Sequence, residues 1–396
     1  MYKRVGSRFV ILAALLIAAL SMGSAANAQT APKIRLQSKW VVQAQFAGYY
    51  AAAAKGYYKD AGLDVTILPG GPDITPEQVV ASGAAEFGLD WLPSLLNSRE
   101  QGANLVNVAQ VYTRSGMREV SFTDKNIKTS TDLKGKKVGV WLGGNEFELF
   151  AALVKNNLDP ENPSDVTIIK QPFDMTLLLK GDVDAAAAMT YNEYAQVLES
   201  INPKTGKLYT PADLNVLDFN GEGTAMLQDG IFANADWLAK TGNEDVAVKF
   251  IAASLKGWIY CRDNPTDCVK AVLDQGSTLG AGHQTWQMNE VNKLIWPNKL
   301  GIGIMDPTAY QQTADISLKY KVITKAPDKA AYRTDLAQKA VQSLIDAKLD
   351  VNGSSFQPQT VILTEGGKTA QVAPAATMAA TMNATMSATM AATAAK

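Results

Sequence analysis

The feature that most constrains this chain is a repeated alternation of short apolar or β-branched runs with segments carrying apolar residues at helical spacing. "KIRLQSKW" (33–40) reads as a strand, and "FAGYYAAAAKGYYKDAG" (46–62) as a helix stopped by Gly62. "LDVTILPGG" is strand and turn, "TPEQVVASGAA" a short helix, "EFGLDW" a strand, "LPSLLNSREQG" a helix and "NLVNVAQVY" a strand. Such a pattern predicts βαβ units in a mostly parallel sheet flanked by helices. A second series follows "SFTDKNIKTSTDLKGKK" and runs from "VGVW" through "DVTIIKQP", "DAAAAMT" and "YNEYAQVLES" to "LNVLDF". After "QDGIFANADWLAKT" the pattern is predominantly helical to about residue 346. Two α/β series followed by helices predict two lobes, with chain crossings near Ser121–Asn126 and Gly221–Gly230.

The ends of the chain differ from its middle. "MYKRVGSR" is basic, Phe9–Leu20 is apolar, and Ala26–Ala28 gives an A-x-A pattern, so residues 1–28 read as a secretory signal peptide cleaved before Gln29. Phe9–Leu20 is short against the ~20 residues that a membrane span needs. No cysteine lies near the cleavage point, so an N-terminal lipid anchor is not expected. The mature protein is expected to be exported, either periplasmic or at the outer face of the cell membrane. At the other end, residues 366–396 include a repeated Ala-Thr-Met unit and read as a low-complexity, disordered tail.

Catalysis is not what the residues display. The one histidine, His283, stands in "GAGHQTW" with no neighbouring acid or nucleophile pattern and reads as structural. Two cysteines, Cys261 and Cys268, make no metal site; export permits a disulfide between them, with two free thiols as the alternative. A net charge of −1 without Lys/Arg runs argues against nucleic acid as a partner. The expectation is therefore a non-enzymatic binding protein with no cofactor and no metal.

Strand ends facing a cleft are where open α/β sheets bind ligands, and a flat, nitrogen-rich ring needs aromatic faces and an amide or carboxylate edge. In the first lobe, Trp40, Gln43, Phe46 and Tyr49 follow the first strand, and Asp90 and Trp91 end another. Met117 follows a strand near the crossing. In the second lobe, "GVWLGGNEFELF" places Gly143, Gly144, Asn145 and Glu146 between strand and helix, where glycines allow close backbone approach to a guest at a helix N-terminus. Tyr191, Asn192 and Glu193 offer an aromatic, an amide and an acid in succession after a buried run.

The ordered motifs "FAGYYAAAAKGYYKDAGLDVTILPGG", "QVVASGAAEFGLDW", "STDLKGKKVGVW", "GGNEF" and "DVDAAAAMTYNEY" carry a family resemblance across about residues 33–325. They resemble periplasmic solute-binding proteins of ABC importers, in the thiamine-pyrimidine-synthase-like branch and closest to its riboflavin-binding type. The resemblance implies a type II two-lobe fold closing over its ligand by hinge motion. It assigns residues 33–122 and 228–350 to one lobe and 123–227 to the other. It implies a monomer that delivers a small aromatic vitamin to an ABC permease and its ATPase: riboflavin first, a formylated or hydroxymethyl aminopyrimidine second. A sulfonate or nitrate carrier is a third reading, for which Arg114 and Arg118 are the candidate cations. The fungal synthase of this branch uses a histidine, a Lys-bound pyridoxal cofactor and a cysteine-rich iron motif; the lone His283 and two isolated cysteines depart from that pattern.

Overall fold

The alternation becomes two five-stranded sheets in a computed structural model that describes residues 31–374. The expected signal peptide, and the tail beyond residue 374, lie outside the described residues. In the first lobe, β1 (Lys33–Gln37), β2 (Asp64–Leu68), β3 (Phe87–Asp90) and β4 (Leu105–Gln110) are linked through helices α1 (Ala47–Ala54), α2 (Pro76–Ala81) and α3 (Leu92–Glu100). The second lobe holds β5 (Met117–Phe122), β6 (Lys137–Val140), β7 (Thr167–Lys170) and β8 (Ala185–Met189). Helix α4 (Phe147–Lys155) follows β6, and α5 (Glu193–Leu198) follows β8. A small hairpin, β9 (Ile201–Asn202) and β10 (Lys207–Leu208), precedes β11 (Leu214–Asp218). The chain then returns to the first sheet as β12 (Gly230–Asn234) and continues as α6 (Asn243–Asp263), α7 (Pro265–Asp274), α8 (Ala281–Ile295), α9 (Pro307–Lys319) and α10 (Asp335–Asp346). A last hairpin pairs β13 (Gln359–Leu363) with β14 (Ala370–Pro374).

Each sheet is mostly parallel, as the alternation predicts, with one strand reversed: the orders are β2-β1-β3-β12-β4 and β11-β5-β8-β6-β7, with β12 antiparallel to β3 and β4 and β5 antiparallel to β8 and β11. The cause lies in the crossings. A strand that has just crossed starts at the cleft and runs outward, against βαβ strands that run toward it; Gly230 opens β12 opposite Asp90, which ends β3. Two expectations need correction. The first crossing lies earlier than Ser121–Asn126. Met117–Phe122 pairs entirely within the second sheet, so the chain passes between lobes at residues 111–116. The described part of the 366–396 segment, in turn, is regular structure, since Ala370–Pro374 forms the second strand of a hairpin.

The first lobe's core is built around α6 crossing α1. A Cβ on Gly257 would stand 2.0 Å from the carbonyl oxygen of Gly48, so only glycine lets the two backbones approach this closely. Beyond this crossing, α6 ends at Asp263 and α7 begins at Pro265, turning Cys268 back on Cys261 to form a disulfide in a fully buried pair. Closing this short loop restricts the unfolded chain. Replacing both cysteines by alanine is expected to lower unfolding free energy by about 2–3 kcal/mol, read from denaturant titration.

Candidate ligand cleft between the lobes

The loops after β1, β2, β3, β6 and β7 line a cleft of about 770 Å³. From the first lobe come Lys39, Trp40, Glu77, Asp90 and Ser94; from the second come Trp141, Gly143, Gly144, Gln171 and Phe173. A second recess of about 40 Å³ shares Lys39, Trp40, Trp141 and Asn145 and adds Gln43, Gln45, Trp91, Met189 and Tyr191–Glu193. Trp40 and Phe173 meet across the gap edge-to-face, ring centroids 4.8 Å apart.

The two glycines earn their place through backbone geometry. Gly143 and Gly144 have φ of +101° and +126°, a region that side chains rarely enter. The turn brings Gly144 against the other lobe, where Ser94 Oγ donates to its carbonyl at 3.4 Å. Glu146 occupies the N-cap of α4, but its carboxylate turns back to accept from the Gly144 N–H at 2.8 Å. The loop thus has an acid against one of its own amides, and Asn145, half-buried beside both cavities, is left free of capping duty.

On the facing lobe, Lys39 forms a buried ion pair with Asp90, whose Oδ1 also accepts from the Trp91 N–H at 2.6 Å. Glu77 lies beside them. Burial first and Asp90 second push its carboxyl well above the ordinary range, against the pull of Lys39. Deeper in, Asp229 accepts from Trp91 Nε1 at 3.1 Å and from Gln45 Nε2 at 2.9 Å, and burial pushes it up to about 6. Gln43 Nε2 donates to Gln45 Oε1 at 2.7 Å. In the second lobe, Glu193 accepts from Met189 N–H at 3.0 Å and Asn192 Nδ2 at 2.6 Å, and burial pushes it up to about 7. Asn192 Oδ1 meets His283 Nε2 at 2.8 Å, and His283 Nδ1 meets Glu199 Oε1 at 2.8 Å. His283 is therefore a bridge from α8 to α5, with Trp286 Nε1 donating to Thr190 O at 2.9 Å beside it. At the other end of α8, Leu294 O accepts from Thr113 N–H in the first crossing at 3.0 Å.

Of the residues read from sequence, Trp40, Gln43, Asp90, Trp91, Gly143, Gly144, Asn145, Glu146, Tyr191, Asn192 and Glu193 border the two cavities. Phe46, Tyr49 and Met117 do not; all three are buried in the core. Tyr49 faces α6, its ring edge-on to Trp258 at 5.7 Å, because the inward phase of α1 points at that helix instead of the gap. Arg114 and Arg118 also fail to line the cleft: Arg114 donates to the carbonyl of Pro297 at 3.0 Å, and Arg118 pairs with Asp218 at 3.0 Å. Sequence reading passed over Lys39, Glu77, Trp141, Phe173 and Asp229. Trp141 and Phe173 each follow a second-lobe strand, so the strand-end rule applied to β6 and β7 reaches both. Asp229 has no local signal, since its place depends on the second crossing.

The family described as NMT1/THI5 like matches residues 43–268, more than half of the chain. The chain belongs to that family. Among its relatives, riboflavin-binding protein RibY of Chloroflexus aurantiacus is 25% identical over 75% of this chain and 84% of its own. The formylaminopyrimidine-binding protein of Halalkalibacterium halodurans is 24% identical over 67% of this chain and 77% of its own. A 4-amino-5-hydroxymethyl-2-methylpyrimidine phosphate synthase from Aspergillus parasiticus is 25% identical over 42% of this chain and 48% of its own. Among solved structures, the periplasmic aliphatic sulphonate binding protein SsuA from Escherichia coli superposes with a TM-score of 0.56 at 18% identity, covering 75% of this chain and 90% of that one. At that identity the likeness is one of fold: two α/β lobes of the periplasmic-binding-protein type.

Proposed function

We propose that this protein is an exported substrate-binding protein that captures riboflavin between its lobes and presents it to an ABC permease. The carrying observation is the make-up of the cleft. Its volume of about 770 Å³ lies high in the ~300–1,000 Å³ range of small-molecule sites, and Trp40, Trp141 and Phe173 supply aromatic walls from both lobes. Two buried oxygens on lining side chains of the first lobe, Gln43 Oε1 and Glu77 Oε1, have no protein donor. Unsatisfied acceptors favour a guest rich in N–H and O–H donors. A flavin ring imide and a ribityl chain answer that need, and a tricyclic ring fills space that a single pyrimidine leaves empty. The riboflavin-binding relative supports the same choice.

An oxyanion guest fits less well. Lys39 is already paired, Arg114 and Arg118 face elsewhere, and Glu77 and Glu146 stand in the lining. A formylated aminopyrimidine remains the second reading, favoured by the small recess bordered by Tyr191, Asn192 and Glu193.

Titrating the purified mature protein with riboflavin, aminopyrimidine and sulfonate in parallel, by flavin and tryptophan fluorescence, ranks the three. Saturable quenching by riboflavin alone is expected; none with riboflavin rejects the proposal. Trp40→Ala is expected to weaken riboflavin roughly tenfold or more, the ~0.5–1.5 kcal/mol of an aromatic contact adding to lost apolar burial, with unfolding little changed because Trp40 is half-exposed.

A further inference from the structure

The two crossings between lobes meet at one side chain that lines neither cavity. Glu148 sits in the first turn of α4 and is 1% exposed. Its Oε2 accepts from Ser115 Oγ in the first crossing at 2.7 Å. Its Oε1 accepts from the Met226 N–H at 3.1 Å and from Gln228 Nε2 at 3.3 Å, both in the second crossing. The surroundings fix these roles. Gln228 Oε1 accepts from the Gly116 N–H at 2.8 Å, which turns Nε2 toward Glu148. Ser115 Oγ already accepts from Met117 N–H at 3.0 Å and Gln228 Nε2 at 2.9 Å, leaving its own proton for the carboxylate. Gln110 Nε2 then ties the Gln228 carbonyl to the end of β4 at 2.6 Å.

An acid is an expensive way to fill a buried space, and three donors converging from two separate segments show what it holds together. Arg118 is the charged group whose field reaches it, from β5, and Arg118 is itself paired with Asp218. Just before Glu148 in the chain lies the Gly143–Gly144 turn that lines the cleft. A helix moves as a stiff rod, so a displacement of that turn carries Glu148 with it.

We propose that Glu148 is the hinge clamp of this protein: a positioning residue through which the Gly143–Gly144 turn sets the angle of both crossings. Ligand contact at the turn and closure of the lobes are then one event, because the guest's extra contacts in the closed form act directly on the hinge. This inference depends on the hinge geometry alone and holds for any guest.

The test uses spin labels on Lys134→Cys and Lys240→Cys, exposed positions on the second and first lobes; the two native cysteines are joined to each other and take no label. Inter-lobe distances are measured by double electron–electron resonance on the full mature chain, without ligand and with riboflavin. Glu148→Gln is expected to broaden the ligand-free distribution and to speed riboflavin release at least about tenfold with little change in association. Ser115→Ala, which removes the first crossing's donor to Glu148 together with the acceptor for Met117 N–H and Gln228 Nε2 but leaves the carboxylate and its Met226 contact in place, is expected to broaden it less. If Glu148→Gln fails to fold, Ser115→Ala decides. A ligand-free distribution as narrow as the parent's in the folded variants overturns the clamp. Failure of riboflavin to bind the parent protein counts against the proposed function and leaves the distance test intact.

Discussion

Replacing Trp91 by alanine is expected to lower unfolding free energy by about 3–5 kcal/mol in a urea titration, far more than it changes any stacking contact. Trp91 is 1% exposed, so it forms the floor of the inner recess and presents little face to a guest. Its removal leaves a cavity and also takes the indole donor from Asp229, a carboxyl already pushed up to about 6 by burial. Trp91→Phe keeps one aromatic ring in the site but loses the second ring of the indole together with the N–H, so its cost is expected to fall below that of Trp91→Ala while still including the lost donor to Asp229, itself worth about 1–3 kcal/mol. A loss of riboflavin binding in Trp91→Ala with full stability contradicts this assignment and makes the residue a stacking face.

Lys39→Met is the second large effect. It strands Asp90 in a buried site beside Glu77, and breaking one half of such a pair costs about 3–5 kcal/mol. The double variant Lys39→Met/Asp90→Asn should recover most of that loss, because the stranded charge is gone. The penalty also has a defined pH sense. Glu77 is held well above its ordinary value, so over the window between the two values the native state binds more protons than the unfolded chain, and stability falls as pH rises through it. Lys39 pulls Glu77 down, so its removal widens that window. Below the parent's native Glu77 value the two proteins lose stability in step; above it, the single variant should lose progressively more than the parent in matched urea titrations. A pH-independent difference would mean that Lys39 contributes packing rather than charge compensation.

Much of the fold was readable because the relevant signals are local. Strand–helix alternation gave two α/β series, and the consecutive glycines after β6 marked a backbone turn before α4 whose φ values side chains rarely adopt. Strand direction was less legible. Nothing within "MREVSF" or "GIFAN" says that β5 and β12 arrive from the opposite lobe and run outward; that property belongs to the crossings. The same distinction divides the site. Asp90, Trp40 and the Tyr191–Glu193 run follow directly from strand ends. Phe46 and Tyr49 were misplaced because "FAGYYAAAA" is apolar on every face, leaving no contrast to show which side turns toward α6. The Lys39–Asp90–Glu77 cluster is set by three separate segments that meet only when the first sheet assembles.

Helix α8 reaches the hinge at one end and the second lobe at the other, through Leu294 with Thr113 and through His283 with Asn192 and Glu199. These two anchorages lie about 16 Å apart along one rigid rod, so a substitution that loosens α8 at either end is transmitted to the other, and the first crossing and the second lobe share a single support.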